Sequence, residues 1–418
     1  MSGYKHVFLG AFVVLLLITG CNPAESPAPP ILIEPVTENK TEPEPDAIVR
    51  VWSYFDLPEL EESVKKEFPT VDIEIQTFEY ENFTDAYIEA LVNGTAPDVM
   101  VIDNGRAGYF NTIEGLDNLL DPPYNAGEYW SAIPEHLRGL YRSFKGGRFI
   151  AVPMKLDAAV TLYRADIMEQ YGFPSEPDEL TAFIKDADNL VKMAETLKKD
   201  GKYIFTTASD PVNIVSFAGN ILNEELAFTR TSPAYGDSIE LARIIQRGEL
   251  SLQHSIWSEQ GKAAVQEGRV AMLFLGQWGV QLLQEWSPET KGKWRMAQLP
   301  FGVYGFAGGS SVAVSSQSRH KELAWEVVKR MTSPDLGVSE DERSPFLGGQ
   351  NTGPIISESL RNMKVQIPTP FDHELEKLWW DSVNILVWSE HSIEKEFTRL
   401  EQEVERIIGD KRKFLLQP

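Results

Sequence analysis

The sequence predicts an α/β fold, and three observations carry the prediction. Strand and helix patterns alternate over the first hundred residues able to fold. One of those strands, Asp98-Val99-Met100-Val101-Ile102-Asp103, is a continuous apolar run with an acid at each end, the pattern of a parallel strand covered on both faces. The chain also has 418 residues, 42% hydrophobic and 11% aromatic. That is enough for a sizeable core, and two domains are expected at about 100–200 residues each.

The elements follow in order. Ile48 to Trp52 is a short strand. Pro58 to Phe68 is a helix with Leu60, Val64 and Phe68 on one face. Val71 to Phe78 alternates Val71, Ile73 and Ile75 against Asp72, Glu74 and Gln76, a half-buried strand. Asn82 to Val92 is a helix stopped at Asn93-Gly94, and the Asp98–Asp103 run closes a β-α-β-α-β layer. Beyond Ala151-Val152-Pro153, a strand is expected at Ala158 to Tyr163. Helical patterns cover Pro177 to Lys199 (broken near the middle), Ser238 to Arg247 and Gly261 to Glu267. Arg269 to Phe274, Trp294 to Leu299 and Ser311 to Val314 are expected strands. His320 to Met331 is a helix with Leu323, Ala324, Val327, Val328 and Met331 inward. Ser339 to Gly353 is a polar loop, and Glu394 to Ile408 a closing amphipathic helix. The chain shows no internal repeat.

Before Ile48 the composition changes. An apolar run, Val7 to Ile18, follows Lys5 and His6 and ends in Leu17-Ile18-Thr19-Gly20-Cys21, which holds the only cysteine. Residues 1–20 read as a signal peptide and the motif resembles a bacterial lipobox, implying cleavage before Cys21 and lipid on that residue. The run is short for a membrane span, which takes about 20 residues. Residues 21–47, rich in Pro, Glu and Thr, read as a disordered acidic tether. The protein is therefore expected to be lipid-anchored in a cell membrane, facing outward at a bacterial surface or periplasm. A formal net charge of −23 without a long Lys/Arg run argues against nucleic acid. One cysteine leaves neither an internal disulfide nor a thiolate metal site, and no cofactor or metal is expected.

Five segments stand in sequence: Gly94 to Asp103, Leu116-Asp117-Asn118-Leu119, Ala151-Val152-Pro153 with Asp157 and Leu162 to Ile167, Gly268 to Met272 with Gly276-Gln277-Trp278, and Gly308 to Val314 with Lys321 to Ser333. Together they resemble the extracellular solute-binding proteins of ABC importers, family 1, the maltose-binding-like group. The resemblance covers almost the whole body. It implies a two-lobed, periplasmic-binding-protein-like (type II) α/β fold with the ligand between lobes. The first lobe would be 48–153 plus 301–334, the second 154–300 plus 340–418. It also implies a monomer that captures a mono- or oligosaccharide by lobe closure and delivers it to an ABC permease.

The candidate ligand residues follow from strand ends and from that resemblance. Trp278 comes after a buried strand through Gly276-Gln277; it either faces the cleft or packs beneath the strand end, and Gln277 could point either way. Asp103 ends a buried strand, where it could accept two hydroxyls or cap the next turn, with Asn104 and Arg106 as lesser options. Tyr54 and Phe55 follow the first strand, with core packing as their alternative. Asp157 matches a family position near ligand, although Met154-Lys155 stands where the family more often has an aromatic. Lys155 would pair an acidic group or be solvated. Gly308, Gly309 and Ser310 would bring backbone N–H close to ligand, or form a plain tight turn. Trp257 occupies a place where the family often has an aromatic, and Glu79 and Tyr80 are weaker candidates. One of Trp379 and Trp380 would be core and the other could reach the cleft.

A lipid-anchored hydrolase acting on glycans, or a same-family binder of a non-sugar solute, are the alternatives. A glycosidase would need paired carboxylates across a cleft, and 62 Asp and Glu do not exclude such a pair. No G-x-S-x-G or H-E-x-x-H is present, and His136, His254, His320, His373 and His391 stand singly. A binding protein rather than an enzyme is expected.

Overall fold

The structure is a computed structural model describing residues 47–416 apart from 146, 224, 337–338 and 365–366. Cys21, the signal segment 1–20 and the tether up to residue 46 lie outside the described residues. Strand β1 (Ala47–Ser53) includes Ala47, which pairs with Val71, one residue before the start that the composition change suggests.

Two sheets organise the body. The first contains β1, β2 (Val71–Thr77), β3 (Val99–Asp103), β4 (Val152–Pro153) and β8 (Ser310–Val314), ordered β2-β1-β3-β8-β4. Its β1 runs parallel to β2 and β3, as the alternating pattern requires, whereas β8 returns antiparallel to β3 and β4. The second contains β5 (Ala159–Arg164), β6 (Met272–Gly276) and β7 (Trp294–Ala297), ordered β6-β5-β7, all antiparallel. The chain passes from the first sheet to the second through 154–158 and returns through 298–309.

Side-chain alternation assigns each sheet two covered faces. From the first sheet, Val49, Val51, Val99, Val312 and Val314 enter one apolar cluster, while Met100, Ile102 and Ala313 meet Phe83, Tyr87 and Phe110 on the other side. From the second sheet, Val160, Leu162, Leu273 and Met296 join that same first cluster. Its opposite face, with Ala159, Tyr163, Met272 and Phe274, is covered by helices including Ala187–Lys198, Pro233–Arg247 and Asp372–Val387. Each such aliphatic side chain, fully buried, contributes about 1.5–3 kcal/mol. One continuous core therefore ties the two sheets together on one side and leaves their strand ends to form the site.

Several elements differ from expectation for local reasons. The apolar run at Arg269 to Phe274 carries no alternation to fix its ends. The ladder takes Met272–Gly276 instead, while Val270 forms only an isolated parallel bridge to Tyr203. The Ser339 to Gly353 loop contains a small antiparallel hairpin, β9 (Arg343–Ser344) with β10 (Gln350–Asn351). The helix expected from Ser238 starts at Pro233, a proline at its first position, where the missing N–H costs nothing. The long helical pattern breaks at Asp186, whose carboxylate accepts from the Asp188 N–H and caps the second half. The closing helix extends over Ile393–Leu415. The helices Asp210–Ser216, Gly279–Trp286 and Gly353–Asn362 are additions to the sequence reading. Among the described residues no helix is long and apolar enough to cross a membrane.

Candidate functional site

The C-terminal ends of β1, β2 and β3 deliver Tyr54, Tyr80 and Asp103 to one place. Because β8 is antiparallel, its first residue joins them there, with Ser310 paired in register with Asp103. The Tyr54 hydroxyl shares a 2.5 Å hydrogen bond with Ser310 Oγ and lies 3.5 Å from Asp103 Oδ2. Asp103 Oδ1 accepts from the Gly105 N–H at 2.9 Å. One oxygen of Asp103 thus caps the turn and the other faces the tyrosines, so the two sequence alternatives hold together. Burial pushes the Asp103 carboxyl up to about 6, against the Gly105 N–H and the nearby Arg106 cation, which pull it down. Burial likewise holds the Tyr54 hydroxyl well above its ordinary range, so it stays a neutral donor. Phe55 sets its ring edge against Tyr54, at 5.1 Å between centroids.

The next residues along both strands form a second group. Asn104 N–H donates to the Gly309 carbonyl at 2.9 Å. Gly309 has φ +102, and a Cβ there would lie 2.7 Å from Asp157 Oδ2 and 3.4 Å from Asn104 Nδ2. The glycine is needed for its positive φ and because a carboxylate is packed against it; the sequence reading had weighed close approach to a ligand against a plain tight turn. Gln277 settles inward: its Nε2 donates to Leu156 O at 2.9 Å and to Asp157 Oδ1 at 3.0 Å, fixing that carboxylate. Burial raises Asp157 to about 6, while the Gln277 amide and the Lys155 cation oppose the shift. Asn104 is 2% exposed, and both of its amide atoms, like Gln277 Oε1, are buried without a hydrogen-bond partner among the described residues. Unpaired buried amides are costly in a folded chain and concentrate at sites built for something else.

Trp278 extends this line to the second sheet. It is half-buried, its Nε1 donates to Ala307 O at 2.9 Å, and its ring covers Gly276 so closely that no Cβ would fit. Trp257 is 61% exposed and sits 6.0 Å from Trp278 and from Trp286 between ring centroids. It also lines a cavity of about 310 Å³ with Thr206, Thr207, Asn213, Trp380 and Asn384. Asp210 belongs to that wall too, but its oxygens are taken by the N–H and hydroxyl groups of Thr206 and Thr207. Of the tryptophan pair, Trp379 is fully buried and Trp380 lines the cavity. Sequence reasoning passed over Thr206, Thr207, Asn213 and Asn384. The only local signal was Asp210-Pro211, a helix-start pattern that places the threonines before a helix N-terminus.

The basic candidates are occupied. Lys155 pairs with Glu342 at 3.5 Å. Arg106 lies over the Tyr80 ring and bonds through Nη1 to His373 Nδ1 at 2.7 Å. Burial and that guanidinium hold the His373 imidazole below its ordinary range, which suits an acceptor. This contact, with Asn111 Nδ2 donating to Pro368 O at 2.6 Å, pins the segment after β3 to the start of the Asp372–Val387 helix. Among the described residues no group of three or more His, Cys, Asp or Glu is arranged to hold a metal.

Tyrosines and carboxylates lie at one set of strand ends and indoles and amides at the other, with a chain crossing between, a chemistry suited to a polar solute with apolar faces. The family model for bacterial extracellular solute-binding proteins matches residues 56–337. The chain belongs to that family. Its members are binding proteins, and the matched span includes Asp103, Asp157, Trp278 and Ser310 but stops short of Trp380 and Asn384. A curated relative from Deinococcus radiodurans, a probable ABC transporter-binding protein, is 23% identical over 259 residues, 57% of this chain and 59% of that relative. The match therefore spans less than two thirds of the relative's length. Among solved structures, the chain is similar to the galacto-N-biose/lacto-N-biose I-binding protein of Bifidobacterium longum in complex with lacto-N-biose, at TM-score 0.69 and 18% identity over 88% of this chain and 99% of that one. It is likewise similar to the sugar-binding protein MalE of Xanthomonas citri, at TM-score 0.69 and 17% identity over 89% and 100%. Maltose-bound MalE3 of T. maritima aligns at TM-score 0.68 and 19% identity over 86% and 100%. The solute-binding protein described here thus has the two-lobed α/β fold of the MalE type.

Proposed function

We propose that this solute-binding protein is the lipid-anchored extracellular receptor of an ABC importer and captures a carbohydrate between its lobes. The observation that carries the reading is the unbroken line of polar and aromatic groups from Tyr54, Asp103 and Ser310, through Asp157 beside Gly309, to Trp278 and Trp257. A sugar presents hydroxyls at its rim and C–H faces above and below. Carboxylates held by N–H donors serve the first, and half-exposed indoles the second. The ligands of the similar solved proteins, lacto-N-biose and maltose, support the same class. Lys155 and Arg106 already have partners, which favours a neutral ligand over an anionic one.

In this reading 48–153 with 301–334 form one lobe and 154–300 with 340–418 the other. The crossings at 154–158 and 298–309 act as the hinge. A ligand touching Asp103 and Ser310 on one side and Trp278 and Trp257 on the other binds the closed form better, and shifts the population by that differential affinity. The permease takes the closed, loaded form, and lipid on Cys21 keeps the receptor near it. The protein acts as a monomer.

The test is a thermal-shift screen of the full chain in detergent against mono- and oligosaccharides, polyols and polyamines, with product analysis of every hit. A ligand binding only the folded state stabilises it by about 2.7 kcal/mol at 100 times Kd. A shift with one sugar class and no turnover is the expected result. A shift only with a charged solute overturns the sugar assignment, and turnover makes the protein a hydrolase.

A further inference from the structure

The Asp372–Val387 helix carries a stripe that the ligand line does not use up. His373, Lys377, Trp380, Asn384 and Trp388 follow one another at four-, three-, four- and four-residue steps, so they share one face. The opposite face holds the buried Leu375, Trp379, Val383 and Leu386. The stripe begins at the Arg106–His373 contact, passes the cavity through Trp380 and Asn384, and ends at Trp388, the helix C-cap. Trp388 is 62% exposed and lies beyond the residues that line the cavity, while Trp257 on the cavity wall is 61% exposed. A fully desolvating core gains nothing from such a position, and a soluble surface normally leaves few large indoles in water. Trp380, Asn384 and Trp388 lie beyond residues 56–337, the span matched by the family model.

Resting on the carbohydrate reading, we infer that the ligand is a linear oligosaccharide whose chain leaves the cavity along this helix, with Trp388 as a distal stacking platform. Trp380 and Trp388 are eight residues apart, about 12 Å along the axis at about 1.5 Å per residue, well beyond a single sugar ring. Asn384 stands between the two indoles and supplies both a donor and an acceptor for hydroxyls of the intervening unit. This alternation of ring and amide, continuous with the cavity, favours a glycan over a protein partner, whose docking face would need no such interleaving.

The test is calorimetric titration of the full chain in detergent with two ladders, linear α-glucans and β-galactans from the monosaccharide to the hexasaccharide. Affinity is expected to climb past the disaccharide on one ladder. Trp388→Ala should cost about tenfold on its longer members and nothing on the monosaccharide, and Trp388→Tyr should restore most of the loss. An affinity that levels off at the disaccharide, or a Trp388→Ala variant unchanged on every member, overturns the extension while leaving a sugar receptor. Unchanged binding with reduced uptake in cells assigns Trp388 to a protein contact and also overturns it. Binding of no member of either ladder overturns both the extension and the sugar reading beneath it.

Discussion

The strand ends of the first sheet and the helical wall of the second would present opposite chemistry to the proposed solute. At the first, most groups are already engaged: Tyr54 with Ser310, Asp103 with Gly105, Arg106 with His373, while the buried Asn104 amide has no partner among the described residues. At the second, Trp257 stands mostly in water and Asn384 is open to solvent beside the cavity. A pre-paired polar network costs little reorganisation when a hydroxyl joins it and fixes orientation. Exposed indoles supply affinity by losing water. In the proposed reading, the difference sets orientation on one side and most of the binding free energy on the other.

The comparison can be broken most severely at Trp278. Trp278→Ala removes the indole that joins the two sides, and binding of the best sugar should fall at least about thirtyfold, the loss expected for about 2 kcal/mol at a buried aromatic anchor. The Nε1 bond to Ala307 is lost with it, so a lower melting temperature should accompany the defect. Intact binding in a destabilised variant would make Trp278 a packing residue only.

A stability defect with less direct loss of contact is expected at Gly309→Ala. At φ +102, with Asp157 Oδ2 2.7 Å from the new Cβ, the substitution should cost about 1–3 kcal/mol in denaturant unfolding. An unchanged midpoint would show that the loop yields freely. The double variant with Asp157→Ala should recover part of the cost, because the clashing carboxylate is gone.

The smaller effect is on pH, and it sharpens the comparison because it touches the carboxylate side alone. Asp103 and Asp157 have their pKa raised by burial to about 6 from 3.8. Between about pH 4 and 6 the folded state binds more protons than the unfolded one, so their contribution to stability is fully present below about 4 and is lost as pH rises through 6. Sugar affinity should move the other way, weakening below about pH 6 as the carboxylates lose acceptor capacity. Asp103→Asn with Asp157→Asn should flatten both profiles; a binding curve independent of pH in the parent protein would remove these acids from the site.

Much of this was legible in the chain because it lives in short-range patterns. The Asp98–Asp103 run announces a covered strand, and Gly276-Gln277-Trp278 announces an indole at a strand end. What pattern could not supply is direction. Gln277 turned inward to hold Asp157, Asp103 divided its oxygens between a local cap and the tyrosines, and Trp379 rather than Trp380 filled the core, each involving contacts more than a turn away in sequence. Asn213 and Asn384 carry no spacing signal; only the meeting at one cavity of the Asp210–Ser216 helix, the bend before it that holds Thr206, and the Asp372–Val387 helix brings them together. The Arg269 strand slipped because an unalternating run does not say where its ladder begins.

The central claim is that one sugar is held by both sides at once. The measurement that tests it most directly is a crystal structure of the chain with the strongest carbohydrate from the thermal-shift screen. The account predicts a ring stacked on Trp278 or Trp257 with hydroxyls on Asp157 and on the Tyr54–Asp103–Ser310 group. A sugar contacting residues of one side alone, or seated away from both, would contradict it.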